Sequence, residues 1–188
     1  AYIIDYNEPI LVTGAGGFIG PRVVDALLAY GFTNVRCLVR TTSNVGALNG
    51  ILTDAKKSKI RVVKGNLLSR EDCRRATESV AAVLHLAAGT EKTFAGCYMN
   101  SVVATRNLLD SVLENRSLKR FVNVSSMAVY SNRDTARTGL LDETSEVDAE
   151  PWLRHEAYVY GKVKQDEVVL DYAKKFNIPI FIIQDCNG

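Results

Sequence analysis

The chain has 188 residues, of which 47% are hydrophobic and 23% are charged, and its formal net charge is +2. This composition excludes a disordered or fibrous chain and indicates one globular domain. The basic residues are scattered, and the short runs "KKSK" and "RSLKR" lack interleaved aromatic residues, so we expect no nucleic-acid partner.

Apolar runs of strand length alternate along the chain with longer segments of helical periodicity. The predicted elements, in chain order, are strand 9–13, helix 17–30, strand 35–39, helix 44–56, strand 60–64, helix 70–79, strand 82–86, helix 94–115, strand 120–125, helix 155–176 and strand 178–183. Strands that are apolar on both faces belong in a parallel sheet covered on both sides by helices. The pattern therefore predicts an α/β fold, a doubly wound parallel sheet (Rossmann fold) of six or seven strands in the order 3-2-1-4-5-6.

Two local signals refine this pattern. Ser69 and Asp72 form a Ser-x-x-Asp capping box, which is typical of the start of a helix. Roughly thirty residues between Ser126 and Arg154 interrupt the alternation, and a loop of that length in a compact domain usually has a function.

The first strand is followed by the glycine-rich stretch "TGAGGFIG". Its spacing puts Gly14 at a sharp turn, Gly17 where backbone approaches a diphosphate, and Gly20 where a helix packs on the sheet. The N–H groups at the start of that helix would bind the anion. No Gly-Lys-Ser/Thr follows, which excludes a Walker A loop, and the stretch predicts a dinucleotide site.

The second strand ends with "CLVRTTS", where an acidic residue would bind the ribose 2′-hydroxyl of NAD. Here Arg40 stands near that position, followed by the hydroxyl donors Thr41, Thr42 and Ser43. Arginine and hydroxyls suit a phosphate, so we expect NADP, with NAD as the alternative. The competing interpretation of Arg40 is an ordinary solvent-exposed side chain.

Several other classes of protein and site are disfavoured. Cys37, Cys73, Cys97 and Cys186 are far apart in the sequence, which predicts reduced thiols and a cytoplasmic location. No H-E-x-x-H or Cys/His cluster occurs, so we expect no metal site. The longest nearly apolar run, "VAAVLHLAAG", is too short to span a membrane, and the beginning of the chain shows no basic signal-peptide region.

Five stretches together resemble the extended short-chain dehydrogenases/reductases, which include the NAD(P)-dependent nucleotide-sugar epimerases and dehydratases. These stretches are "TGAGGFIG", "VVKGNLL", "VLHLAAG", "NSVVATRNLLD" and "VSSMAVYS". With the strand and helix that follow them, they cover residues 10 to 183 in the order that is usual for the family.

The resemblance implies site residues along the whole chain. Those assigned to the cofactor are Gly14, Gly17, Phe18, Ile19, Gly20, Arg40, Asn66, Leu67, Ala87, Ala88, Tyr158 and Lys162. Asn66 replaces the acid that usually contacts the adenine, and the active-site Ser/Thr of the family falls on Ser126. The structural Asn of the family falls on Ser101, which is a departure from the pattern. His85 is expected to end a buried strand with backbone partners.

The stretch "EAYVYGKVKQDE" contains two Tyr-x-x-x-Lys pairs, and residues four apart share one face of a helix. The family pattern has a small residue before the lysine and an acid four residues after it, which fits Tyr158 and Lys162 with Gly161 and Asp166. The pair of Tyr160 and Lys164 does not fit. A tyrosine hydroxyl titrates near pH 10, so we expect a nearby ammonium to favour the phenolate and Tyr158 to act as general acid/base.

The resemblance implies an NAD(P)-dependent oxidoreductase or epimerase acting on an alcohol or ketone carbon of a small molecule, in particular a nucleotide sugar. Ser126 would orient the reacting oxygen, and Lys162 would also bind the nicotinamide ribose. Met127 and Ala128 replace the Asp-Glu of dehydratases, which disfavours dehydration. The family also implies a homodimer formed through the helices at 94–115 and 155–176.

Two expectations stay open. The chain reads "IIQDCNG" where the family usually has Arg-Pro, so residues 1–188 are predicted to form the dinucleotide-binding domain, without the usual C-terminal substrate domain. The alternative function is a non-catalytic NADP-binding sensor or interaction module. The intact set of Ser126, Tyr158 and Lys162 favours the enzyme.

Overall fold

A computed structural model describes residues 3–43, 45–50, 56, 58–131 and 141–185. The strands are β1 (Ile10–Thr13), β2 (Val35–Val39), β3 (Ile60–Lys64), β4 (Ala82–His85), β5 (Arg120–Ser126) and β6 (Ile180–Asp185). The helices are α1 (Gly20–Ala29), α2 (Gly46–Gly50), α3 (Arg70–Thr77), α4 (Phe94–Cys97), α5 (Ala104–Leu113) and α6 (Ala157–Phe176). A π-helical segment (Tyr98–Val103) joins α4 to α5, and 3-10 turns lie at Met127–Val129 and Pro151–Arg154.

The six described strands form one sheet in the order β3-β2-β1-β4-β5-β6, and every neighbouring pair is parallel. This confirms the predicted fold class and strand order. The order reverses at β1, which pairs with β2 on one side and with β4 on the other. In open α/β sheets this reversal leaves a crevice at the carboxyl ends of the strands, where ligands bind.

The strands alternate their side chains between two hydrophobic cores, one on each face of the sheet. Leu11 of β1 belongs to one core, which contains residues of α3, α5 and α6. Ile10 and Val12 belong to the other, which contains Val24 and Leu28 of α1. Helices therefore cover both faces, and β1 is buried along its whole length.

Some elements differ from the sequence prediction. The helix predicted at 94–115 is one helical run interrupted by the π-helical segment, in which backbone bonds span five residues. Of the helix predicted at 44–56, Gly46–Gly50 is described as helix. The predicted cap of α3 is present, since Ser69 Oγ accepts a bond from the Asp72 N–H at 3.2 Å.

Further expectations concern thiols, metals and membranes. Among the described residues the cysteines Cys37, Cys73 and Cys97 are free and buried, and Cys186 lies outside them. The same part of the chain contains no group of three or more metal-ligating side chains. None of its helices has the length and apolar character needed to cross a bilayer.

The turn after β1 depends on glycine at two positions. Gly14 has a φ of +68°, which favours glycine, and a Cβ atom there would lie 2.9 Å from the Ala87 nitrogen. At Gly20 a Cβ atom would lie 2.3 Å from the Gly14 oxygen and 2.6 Å from the Ala15 Cα. The start of α1 therefore packs on the loop at a distance that excludes a side chain.

We predict that Gly20→Ala lowers the free energy of unfolding by about 2 kcal/mol or more, because the methyl group overlaps backbone atoms. Gly50→Ala is the matched control: it also lies at a helix end, but no described atom is within 4 Å of its Cβ position. It should be neutral or stabilising by about 0.5 kcal/mol. Urea unfolding of both variants measures the difference, and equal stabilities would contradict the close packing.

Candidate active site

A cleft of about 850 Å³ opens at the carboxyl ends of the strands, where the sheet order reverses. Every residue that the sequence assigned to cofactor or catalysis lies on its wall: Gly14, Gly17, Phe18, Ile19, Gly20, Arg40, Asn66, Leu67, Ala87, Ala88, Ser126, Tyr158 and Lys162. They come from five strand ends and two helices, and the sheet topology brings them together.

The first wall of the cleft is the glycine loop between β1 and α1. The Gly17 N–H donates to the Gly14 oxygen at 2.9 Å, which closes the turn. Pro21 lies in the first turn of α1, where its missing N–H removes no helical bond. The other N–H groups of this turn lack intrahelical acceptors and carry the positive end of the helix dipole, so they can bind an anion.

Phe18 is unusually open for an aromatic side chain, since it is 81% exposed. The Arg22 guanidinium lies 4.7 Å from its ring centre and donates to its carbonyl oxygen at 3.1 Å. These contacts put a cation beside the start of α1.

The ends of β2 and β3 form the second wall. Arg40 and Ser43 line the cleft there, whereas Thr41 and Thr42 are exposed outside it. Arg40 is also exposed, and no hydrogen bond or ion pair joins its guanidinium to another residue in the described ranges. A ligand phosphate could therefore reach this guanidinium.

Asn66 follows β3, and its backbone and side chain are both held in place. Its N–H donates to the Asp72 carboxylate at 2.8 Å, and its Oδ1 accepts from the Leu68 N–H at 3.0 Å. The amide NH₂ is therefore the group that Asn66 can offer to a ligand. The Leu67 oxygen accepts from Asn107 Nδ2 at 3.0 Å, which ties this loop to α5.

Ser126 ends β5 and is 4% exposed. Its Oγ accepts from the Ala128 N–H at 3.2 Å, so the hydroxyl caps the 3-10 turn that follows. The hydroxyl proton can still be donated to an oxygen in the cleft.

Helix α6 separates the two Tyr-x-x-x-Lys pairs. Tyr158 and Lys162 line the cleft. Tyr160 packs against Phe94, with ring centres 5.2 Å apart. Lys164 pairs with Glu167 at 2.7 Å on the outer side of the helix.

Lys162 is 3% exposed, and its ammonium has two acceptors. Nζ donates to the Val124 oxygen at 2.7 Å and to Gln165 Oε1 at 3.0 Å. Burial lowers the pKa of Lys162 to about 8, and the nearby carboxylates of Asp166 and Asp185 oppose this change.

The electrostatics of Tyr158 differ from the expectation that Lys162 favours its phenolate. Burial raises the pKa of Tyr158; the Ser126 hydroxyl opposes this rise, and the charges of Asp185 and Asp166 reinforce it. The physical reason is that burial of the hydroxyl penalises the charged phenolate by more than the Ser126 hydrogen bond favours it. At neutral pH Tyr158 is therefore a phenol, which can donate a proton.

Asp166 lies one turn after Lys162 and faces β5. Its carboxylate accepts from Asn123 Nδ2 at 2.9 Å and from the Ser125 hydroxyl. Burial raises the pKa of Asp166 to about 6, although both hydrogen bonds and Lys162 act in the opposite direction.

The sequence matches the model of one protein family. The sequence model described as the NAD dependent epimerase/dehydratase family matches residues 10–187. The chain belongs to the NAD dependent epimerase/dehydratase family.

Relatives in this family have several activities. Cinnamoyl-CoA reductase 1 of Petunia hybrida is 29% identical over 186 residues, covering 94% of this chain and 53% of that protein. UDP-glucuronic acid 4-epimerase of Bacillus cereus, solved with NAD, has a TM-score of 0.76 at 25% identity, covering 94% of this chain and 55% of that one. DesIV, a dTDP-glucose 4,6-dehydratase of Streptomyces venezuelae solved with NAD and TYD, has a TM-score of 0.79 at 26% identity, covering 93% and 54%. The chain thus spans about half the length of these relatives.

Ser101, to which the resemblance assigns the position of the structural Asn of the family, lies in the π-helical segment. Ser101 Oγ accepts from the Gly89 N–H at 2.9 Å, so the serine holds the loop that follows β4. A Cβ atom on Gly161 would lie 3.3 Å from this Oγ and 3.1 Å from Cys97 Cβ. The small residue before Lys162 thus lets α6 approach the π-helical segment.

Sequence reasoning missed residues that have no family motif. Asn100 lines the cleft, and both protons of its Nδ2 are taken by acceptors, Glu91 Oε1 at 2.7 Å and the Gly96 oxygen at 3.3 Å. Its Oδ1 is therefore the atom left for a ligand. Asp185 also lines the cleft, at one of the two positions where the family has Arg-Pro.

The expectation for His85 was partly wrong. The ring is fully buried, but its hydrogen-bond partners are side chains rather than backbone: Thr13, Thr105 and Gln165. Burial and the charge of Lys162 lower the pKa of His85 to about 3, so the ring is neutral at pH 7. The other histidine, His155, is exposed and does not line the cleft.

We predict a pH-dependent stability that depends on Lys162. Its pKa is about 8 in the folded chain and 10.5 ordinarily, so between these values Lys162 binds more protons in the unfolded chain and contributes a rise in the free energy of unfolding with pH. The buried thiols of Cys37 and Cys73, whose pKa values are raised to about 12, contribute a fall over the same range. Lys162→Met should remove the lysine contribution and so make the change between about pH 8 and about pH 10 more negative, by on the order of 2 kcal/mol. Urea unfolding at about pH 8 and about pH 10 measures it. Lys164→Met, on the outer side of α6, is the matched control, and equal slopes in the wild type and Lys162→Met would contradict a buried ammonium.

Proposed function

We propose that this chain is the cofactor-binding and catalytic part of an NAD(P)-dependent oxidoreductase or epimerase that acts on an alcohol or ketone carbon. One observation carries the proposal: Ser126, Tyr158 and Lys162 line the same cleft as the glycine loop. Residues 1–188 would form the dinucleotide-binding domain, and a separate substrate domain would complete the enzyme, in keeping with relatives of about twice the length.

The residues of the cleft fit a dinucleotide. The close approach of Gly14 to Ala87 and of Gly20 to the Gly14 oxygen keeps the loop tight, and the N–H groups at the start of α1 would bind the diphosphate. Asn66 would bind the adenine through its amide NH₂, and Lys162 would bind the nicotinamide ribose hydroxyls through its third proton. When bound, the nicotinamide supplies or accepts the hydride.

The roles of the other polar groups follow from their protonation. Tyr158 is a neutral phenol at pH 7 and would donate its proton to a substrate carbonyl oxygen, which favours the reductive direction. Ser126 would hold the same oxygen through its hydroxyl proton. The cleft-facing proton of Lys162 would stabilise the charge left on Tyr158 after the transfer.

The proposal extends to the identity of the cofactor, the class of substrate and the oligomeric state. The exposed guanidinium of Arg40 and the Ser43 hydroxyl support NADP, although the two solved relatives hold NAD. Nucleotide-sugar enzymes among the relatives support a nucleotide sugar as substrate, and the cinnamoyl-CoA reductase supports a carbonyl compound of another kind. The exposed apolar residues Leu113, Leu170 and Phe176 support a homodimer formed through α5 and α6.

We expect Tyr158→Phe to lower turnover by about 100-fold or more, because the proton donor is lost, and to leave cofactor affinity within about twofold. Absorbance at the nicotinamide band, with nucleotide sugars, cinnamoyl-type thioesters and small ketones, measures turnover in the full-length protein. Tyr160→Phe is the matched control, since Tyr160 packs on Phe94 outside the cleft. Tight cofactor binding without turnover in the wild type would instead favour the sensor or interaction module.

Arg40→Ala should weaken NADP binding by about 10-fold to 100-fold, because a charge-assisted hydrogen bond to the 2′-phosphate is lost. NAD binding should change by less than about threefold, since NAD has no such phosphate. Titration calorimetry with each cofactor measures both, and Arg61→Ala on β3, outside the cleft lining, controls for the loss of one surface charge. An unchanged preference would remove the argument for NADP.

A further inference from the structure

A chain of buried polar side chains lies directly behind Lys162. Gln165, His85, Thr105 and Thr13 are each 0% exposed. Gln165 is the link, because its Oε1 accepts from Lys162 Nζ at 3.0 Å while its Nε2 lies 2.8 Å from Thr105 Oγ1 and 3.2 Å from His85 Nε2. Buried polar groups are costly unless they are satisfied, so this chain constrains its members closely.

The orientation of the Gln165 amide is fixed by the chemistry of its neighbours. An ammonium can only donate, so the atom that faces Lys162 must be the oxygen. A backbone carbonyl can only accept, and Nε2 lies 3.4 Å from the Ala87 oxygen. If the amide were turned over, its NH₂ would face the ammonium and its oxygen would face the carbonyl, and both hydrogen bonds would be lost.

The contacts of His85 allow either tautomer. With the proton on Nδ1, the ring donates to Thr13 Oγ1 at 2.7 Å and Nε2 accepts from the Thr105 hydroxyl at 2.8 Å or the Gln165 NH₂ at 3.2 Å. With the proton on Nε2, the ring donates to Thr105 Oγ1 and Nδ1 accepts from the Thr13 hydroxyl. In both cases Thr105 Oγ1 can accept from Gln165 Nε2 at 2.8 Å, so the link from Lys162 runs through Gln165 to Thr105 and the ring. Thr13 Oγ1 in turn accepts from the Ala87 N–H at 3.3 Å. The chain begins at Lys162 and ends on the backbone of Ala87, which lines the cleft.

From this geometry we infer that Gln165 is a positioning residue, which couples Lys162 to Thr105 and to the buried ring of His85 and so directs the ammonium into the cleft. The inference rests on the proposed function, because it assigns the ammonium a role there. Two of the three ammonium protons are held by Val124 and Gln165, and this fixes the direction of the third. The Ala87 backbone is fixed by the same chain, so the lysine and the end of β4 keep one relative position.

Other charged and titratable groups face Lys162 from the elements that surround it. Asp166 of α6 and Asp185 of β6 both favour the ammonium. His85 of β4 is neutral, and Tyr158 lies on the same wall of the cleft. A test of Gln165 must therefore keep these groups unchanged and read out Lys162 itself.

The test compares Gln165→Met and Gln165→Glu in the full chain by NMR of ¹³C-labelled lysine, with the Lys162 signal assigned by its loss in Lys162→Met. Methionine has a similar shape but accepts no strong hydrogen bond, so the pKa of Lys162 should fall by about one unit. Glutamate keeps an oxygen towards the ammonium whether or not it is ionised, so the pKa should equal or exceed the wild-type value. Gln184→Met makes the same change at a glutamine that bonds Tyr130 and should leave the pKa of Lys162 unchanged.

An unchanged pKa in Gln165→Met, or a fall of the same size in Gln165→Glu, would overturn the inference, since general damage to the fold would move both variants in one direction. A measurement on the wild type needs no variant to fold. Long-range ¹H–¹⁵N NMR reports the protonation of the His85 and His155 rings, and a His85 ring that carries protons on both nitrogens at pH 7 would overturn the network, since a cation there would oppose the Gln165 NH₂ and the Lys162 ammonium.

Both measurements are made without substrate or cofactor, so they separate this inference from the proposed function. If the wild type turns over no substrate in the panel, the proposed function is contradicted, whatever the NMR result. Where the wild type does turn over substrate, the pH limb of kcat/KM that reports Lys162 should move in Gln165→Met with the NMR value. If the apparent pKa in the pH profile of kcat/KM is the same in Gln165→Met and in the wild type, the positioning role is wrong, although the proposed enzyme activity is still supported.

Discussion

The structure depends on one constraint of topology. All six described strands are parallel, so their carboxyl ends lie at one edge of the sheet, and the order reverses at β1. Connections on the two sides of this point leave towards opposite faces, so none of them fills the space between β1 and β4. The glycine loop after β1, the ends of β4 and β5 and the start of α6 all face that space. The cleft is thus a consequence of the strand order, and the side chains that line it determine which ligand it binds and which reaction it supports.

The chemistry of the cleft depends on the buried ammonium of Lys162, whose removal from water costs free energy. Lys162 is almost inaccessible to water, and a cation in that position needs acceptors on the protein. Two oxygens accept its protons and the charges of Asp166 and Asp185 favour it, yet the charged form is still disfavoured relative to water. The same burial keeps Tyr158 protonated. A site of this kind gives up stability in order to hold an acid and a cation in fixed positions.

The sequence predicted those features that depend on local pattern. Glycine spacing and strand periodicity gave the sheet, its order and the loop after β1, because each follows from backbone geometry within a few residues. The choice of Tyr158 over Tyr160 rested on flanking residues, and the two tyrosines do lie on different sides of α6. The network behind Lys162 was not predicted, because the partners of His85 are 72, 20 and 80 positions away in the chain. The π-helical segment was also missed, since hydrophobic periodicity does not distinguish four-residue from five-residue backbone bonds.

The π-helical segment has a consequence for the lengths that this part of the chain can tolerate. A backbone bond that spans five residues encloses one residue more than the four-residue bond of an α-helix, so a deletion between Tyr98 and Val103 can be absorbed by a change to α-helical bonds. A deletion in the regular part of the run would instead turn everything after it by about 100°. Thr105 would then leave His85, and Asn107 would leave the Leu67 carbonyl. Homologous genes should therefore gain or lose a codon inside this segment more readily than elsewhere along the helix.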